Sequence, residues 1–123
     1  AANISWVVDQ KAWKSIASLQ RRGAPDTLAK IMSLYLVDSQ DLVRTIRQGI
    51  VAGDAQVVNQ AAHSLKSRSS VLGAVSLAKL CQQFESFSRQ AQLKEAEPLL
   101  DQLDAAFAHA SDVFQGELER RAA

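Results

Sequence analysis

Two histidines, His63 and His109, and one cysteine, Cys81, are the side chains best able to act as nucleophiles near neutral pH in this sequence. Their surroundings differ. At 100° per residue, Val58, Ala61, Leu65, Ser69 and Leu72 fall within about 80° of one another around a helix, forming an apolar seam. His63 lies roughly 160° from the centre of that seam and therefore faces away from it, with Asn59, Lys66, Ser67 and Ser70 on its side. Lys66, at i+3, is a helical-surface neighbour whose ammonium can approach a group attached to the imidazole. Ser67 and Ser70 are small enough to leave the ring open to a bulky partner. This combination suits a nucleophile that enters another protein's active site.

The other candidates read as ordinary residues. His109 sits off the apolar stripe of its helix, with Asp112 at i+3 but no lysine at i+3 or i+4, and reads as a surface histidine. Neither histidine has a second histidine or a cysteine at helical spacing, so no metal site is expected. Cys81 falls within an apolar stripe and is expected to be a buried, inert thiol. Ser64, Ser69 and Ser70 surround a histidine but have no acidic orienter at helical spacing in sequence, which argues against a Ser-His hydrolase. Glu85 and Arg89, one turn apart, are expected to pair at the surface. Trp6 and Trp13 are expected to anchor the N-terminal segment.

The elements that must position His63 follow from the punctuation. Gly23, Gly53 and Gly73 close helical stretches, Pro25 suits a first turn and Asp54 suits an N-cap. The pattern predicts helices over about residues 9–21, 26–51, 55–72, 75–91 and 94–120. Pro98 is tolerated in the first turn of the last of these but not in its interior. The fold class expected is all-α: one domain over residues 1–123, built as an antiparallel up-down four-helix bundle with an additional short N-terminal helix.

Composition narrows the function classes. The chain has 123 residues, 14 basic and 13 acidic side chains and a net charge of +1, so the clustered excess of Lys and Arg that nucleic acid demands is missing. One cysteine excludes an internal disulfide. No apolar run approaches the roughly 20 residues that span a bilayer, and the reading is a cytoplasmic protein without direct membrane contact. The opening Ala1 suits a piece of a longer chain or a trimmed one.

The run Ala62-His63-Ser64-Leu65-Lys66-Ser67-Arg68-Ser69-Ser70-Val71-Leu72-Gly73-Ala74 resembles the signature of histidine-containing phosphotransfer (HPt) domains, approximately A-H-x-L-K-G-x-[SA]-x-x-[LIV]-G-[AL]. The similarity continues through Leu77, Leu80-Cys81 and Phe84-Glu85, and upstream through Tyr35-Leu36-Val37-Asp38. Two positions depart from the pattern. Ser67 stands where the family usually has glycine, which implies slower or more selective transfer. Arg68 replaces a small residue and is expected on a flank, where it meets an acidic patch of a partner.

The resemblance implies a phosphoryl carrier in a multistep phosphorelay, without kinase activity of its own. His63 would accept the phosphoryl group through Nε2 from a receiver-domain aspartate and pass it to another receiver. Lys66 would support the phosphoryl oxygens, while Asn59, Ser67, Arg68 and Ser70 would flank the site. The receiver would supply Mg²⁺, and this domain would bind no cofactor. Leu19, Leu28 and Met32 are the candidate docking residues for receivers, which would be met in cis or in trans by a monomer. The context implied is the cytoplasmic C-terminal end of a membrane-bound hybrid sensor kinase or a free-standing carrier. Two alternatives stand beside this one. A non-catalytic bundle would bind and regulate a receiver or other partner without carrying phosphate. The dimerisation and phosphoacceptor part of a histidine kinase is also helical, but there an acidic residue normally follows the histidine, and here Ser64 does.

Overall fold

A computed structural model describes residues 27–122. The helix expected over residues 9–21, with Trp6, Trp13 and Leu19, lies outside the described residues. The described part is all-helical: α1 (Thr27–Ala52), α2 (Ala55–Val71), α3 (Val75–Arg89), the single turn α4 (Leu93–Ala96) and α5 (Leu100–Ala122), with a 3₁₀ turn over Glu97–Leu99 between the last two.

Local chemistry sets each helix end. Gly53 at φ 72° ends α1, and the Asp54 N–H donates back to the Gly49 carbonyl at 2.8 Å. Asp54 then caps α2, its carboxylate accepting from the Val57 N–H at 3.2 Å. Gly73 at φ 76° ends α2 in the same way, with the Ala74 N–H reaching the Ser69 carbonyl at 2.8 Å. After α3 the left-handed position is taken by Ala91 at φ 54°, where a Cβ is unfavourable. The single helix expected over residues 94–120 is instead broken. Pro98 has no N–H to donate and sits in the 3₁₀ turn, so the long helix begins only at Leu100.

Cross-helix contacts fix the directions. Between α2 and α3, Asn59 pairs with Ser88, His63 with Glu85 and Lys66 with Gln82, so residue numbers rise on one helix as they fall on the other. The same holds for α1 against α2, through Tyr35 with Ser69 and Gly49 against Val58. It holds again for α1 against α5, through Tyr35 with Phe114 and Arg47 with Asp104. Each of these pairs is antiparallel.

The core between them contains Leu28, Met32, Ile46, Val58, Leu65, Leu72, Leu77, Phe84, Leu103 and Phe114, all fully buried. Leu65 and Val58 hold one stripe of α2 inward, which forces the opposite stripe, with His63, outward. Tyr35 crosses the core, with its ring edge-on to Phe114 at 5.4 Å and its hydroxyl 2.7 Å from the Ser69 hydroxyl. That bond satisfies two polar groups that would otherwise be costly to bury.

Candidate functional site

His63 projects from the third turn of α2 with 64% of its side chain exposed. Its Nδ1 faces the Glu85 Oε2 at 3.3 Å, and the other carboxylate oxygen of Glu85 lies 2.7 Å from the Lys66 ammonium. Glu85 itself is almost fully buried, at 4% side-chain exposure, in the cleft between α2 and α3. Burial pushes its carboxyl pKa up, but hydrogen bonds from Lys66 and His63, with their charges, outweigh that and hold it below the ordinary carboxylate value. Glu85 is therefore an anion and can only accept hydrogen bonds. The proton of a neutral His63 ring is thereby placed on Nδ1, and the lone pair on Nε2, at the opposite edge of the ring.

Several expectations change on these observations. Glu85 does not simply pair with Arg89 at the surface. The Arg89 guanidinium is 3.8 Å away, while the closer contacts go to Lys66 and His63. An acidic orienter for the histidine does exist, supplied by a neighbouring helix. Lys66 is turned to the neighbouring helix: it donates to the Gln82 side-chain carbonyl at 3.4 Å and is held against Glu85, the carboxylate that also meets His63. Asn59 is half-buried, and its side-chain oxygen accepts from Ser88 at 3.3 Å. Ser67 and Ser70 are exposed on the His63 side of α2.

Arg68 is not free for an acidic partner in this state, because it donates to Asp38 of α1 at 2.6 Å. Leu28 and Met32 are corrected outright as docking residues. They are 1% and 0% exposed and belong to the core, so the flexibility that recommended Met32 for partner recognition serves internal packing. Cys81 is buried too, and its thiol pKa is pushed up to about 12 by burial first and by the nearby Glu85 charge second. His109 is exposed on α5. Among the described residues no three His, Cys, Asp or Glu side chains cluster as metal ligands, and no helix is long and apolar enough to cross a membrane.

The site residue that sequence reasoning missed is Glu85, although a signal existed. A hairpin of two helices turning at Ala74 brings together residues equally far on either side of it, and His63 and Glu85 are each eleven residues from Ala74.

Comparison with known proteins agrees with this arrangement. The Hpt domain profile matches residues 30–113. A search of curated proteins returns no match. Among solved structures, the crystal structure of histidine-containing phosphotransfer protein B (HptB) from Pseudomonas aeruginosa PAO1 is 30% identical, with a TM-score of 0.85. The alignment covers 93% of this chain and 96% of that one. Hpt domains are phosphocarriers rather than kinases, and the general role here is histidine phosphotransfer in a phosphorelay. An outward imidazole on the second of three successive antiparallel helices, oriented by a buried carboxylate, sits within the matched region, and the chain belongs to the Hpt domain family.

Proposed function

We propose that His63 is the phosphoacceptor and that the domain shuttles phosphoryl groups between the aspartates of two receiver domains. The observation that carries this reading is the shared Glu85 carboxylate, which meets the ring at Nδ1 and leaves Nε2 in solvent. In the step, the Nε2 lone pair attacks the phosphorus of an aspartyl phosphate in line. The acyl O–P bond breaks as the N–P bond forms, and the receiver's aspartate leaves as a carboxylate. The ring acquires positive charge as its lone pair is used, and Glu85, accepting the Nδ1 proton in a hydrogen bond, stabilises that charge without removing the proton. Lys66, turning from Gln82, neutralises the phosphoryl oxygens. The domain supplies no cofactor in this scheme; Mg²⁺ and most of the charge stabilisation come from the receiver.

The carrier is read as a monomer whose four long helices form an up-down bundle, completed by a short helix over residues 9–21. Ser67, in place of the usual glycine, puts a Cβ on the approach surface and makes the domain selective among receivers. Asn59, through Ser88, and Ser70 complete the polar flank.

The test is to incubate the domain with a receiver carrying ³²P on its aspartate. Label stable in base, labile in acid and absent from His63→Gln supports the carrier. A folded domain that binds a receiver yet never takes label supports the alternative, a regulatory binding module.

A further inference from the structure

The α2–α3 cleft continues past the His63 site as an open groove of about 530 Å³. Lys66 and Ser70 stand on its α2 side and Lys79, Gln82 and Gln83 on its α3 side. Val75 and Ala78, both half-buried, belong to its small apolar floor. The antiparallel register that sets Lys66 beside Gln82 brings Ser70 level with Ala78 and Lys79. Two ammoniums and a hydroxyl therefore line one stretch of the groove, about a helical turn long.

Among the described residues the lining holds two cations and no carboxylate. Lys79 is exposed and has no ion-pair partner among those residues, whereas Arg44, Arg47, Arg68 and Arg89 each sit beside an acid. Lys66 is shared: it lies 2.7 Å from the Glu85 carboxylate in the phosphotransfer site and 3.4 Å from Gln82 in the groove. A cleft lined by one sign of charge concentrates its field and draws counter-ions. Lysine ammoniums bind phosphoryl groups as point charges, and Ser70, Gln82 and Gln83 add hydrogen-bonding groups beside them. The size falls within the range of small-molecule sites, about 300–1,000 Å³.

We propose that this groove binds a phosphate monoester of about mononucleotide size, its phosphoryl group between Lys66 and Lys79 beside Ser70 and its organic part over Val75 and Ala78. The ligand is bound and released unchanged. One ammonium cannot serve two anions, so an occupied groove draws Lys66 off Glu85 and away from a phosphoryl group arriving at His63. The ligand thereby slows transfer. That consequence rests on the carrier reading, whereas the binding itself does not.

The experiment titrates the domain with adenosine 5′-monophosphate, inorganic phosphate and adenosine, following amide signals by ¹⁵N–¹H NMR. The monophosphate should move the signals of Ser70, Lys79 and Gln83 together, with a midpoint at or below about 1 mM, the affinity that an open site with a solvent-exposed ammonium supports. Inorganic phosphate should bind at least about fivefold more weakly and adenosine not at all. Lys79→Gln should weaken the monophosphate by at least about fivefold with Tm unchanged. In transfer from a phosphorylated receiver, saturating monophosphate should slow wild type about threefold or more and leave Lys79→Gln, whose basal rate matches wild type, little affected. No saturable shift at millimolar monophosphate, or shifts scattered equally over Lys30 and Lys94, would overturn the site. Equal affinity for inorganic phosphate would overturn the monoester and leave a free-phosphate site. Binding with an unchanged transfer rate would overturn the coupling through Lys66. A wild-type domain that takes no label on His63 from any receiver would refute the carrier reading, while the titration still decides the groove.

Discussion

Replacing Glu85 with alanine separates its two tasks, orienting the ring and holding Lys66. The stability cost is bounded by the environment of each partner. A surface ion pair is worth about 0–1 kcal/mol, and breaking a buried one costs about 3–5 kcal/mol. Here the carboxylate is 4% exposed but the lysine side chain is 26% exposed and can turn to water, so about 2 kcal/mol is expected. For the ring, a charge-assisted bond contributes about 1.5–3 kcal/mol when favourable. At 3.3 Å, with a histidine side chain 64% exposed, about 1 kcal/mol is the reasonable share. That corresponds to a loss of about fivefold in phosphorylation rate. Glu85→Gln keeps an acceptor oxygen without the charge, and about twofold is expected. Initial rates with phosphoramidate followed by ³¹P NMR give the rate, and ¹⁵N–¹H correlation of the imidazole identifies the protonated nitrogen. Wild type should show Nδ1–H, Glu85→Ala a mixture and Glu85→Gln a smaller change. A dominant Nδ1–H form and an unaltered rate in Glu85→Ala would refute the orienting role, whatever happened to stability.

Three further outcomes follow from the fold and its charges. Gly49→Ala should destabilise by about 1–3 kcal/mol in urea melts despite alanine's better helix propensity, because its Cβ would stand 2.7 Å from Val58 Cγ2 and push α1 off α2. Ala91→Gly should stabilise by about 1 kcal/mol in the same assay, since it relieves a left-handed backbone at φ 54°. Acid titration should expose Glu85. Its folded pKa lies below the ordinary 4.5, so the unfolded chain binds that proton more readily. Its stabilisation is complete above about pH 4.5 and is lost as pH falls through the folded value, so Tm should fall less in acid for Glu85→Gln than for wild type.

The helices were legible because α1, α2 and α3 obey local rules: a 3.6-residue apolar period, glycine stops at Gly53 and Gly73, and an Asp54 cap. The outward direction of His63 followed from the same period. The break at Pro98 was half-visible, since the residue's lack of an N–H rules out a helix interior without deciding where the next helix resumes. The docking residues failed for a different reason. An apolar stripe wider than one core contact has a buried part and an exposed part, and periodicity does not say which. On α1 the core took Leu28 and Met32 and left Leu34 and Val37 outside. Glu85 and Arg68 were misread because their partners, His63 and Asp38, are 22 and 30 residues away, beyond any i+3 or i+4 rule.

The asymmetry of the imidazole environment has a consequence for signalling. One nitrogen is committed to a buried carboxylate, and the other faces out from the exposed side of the ring. On the carrier reading proposed above, this arrangement imposes no preferred direction on the flow of phosphate. On that reading its loading would follow the relative abundance and charging of the receivers that dock on it, and the domain would act as a junction at which two phosphorylation states equilibrate rather than as a valve between them.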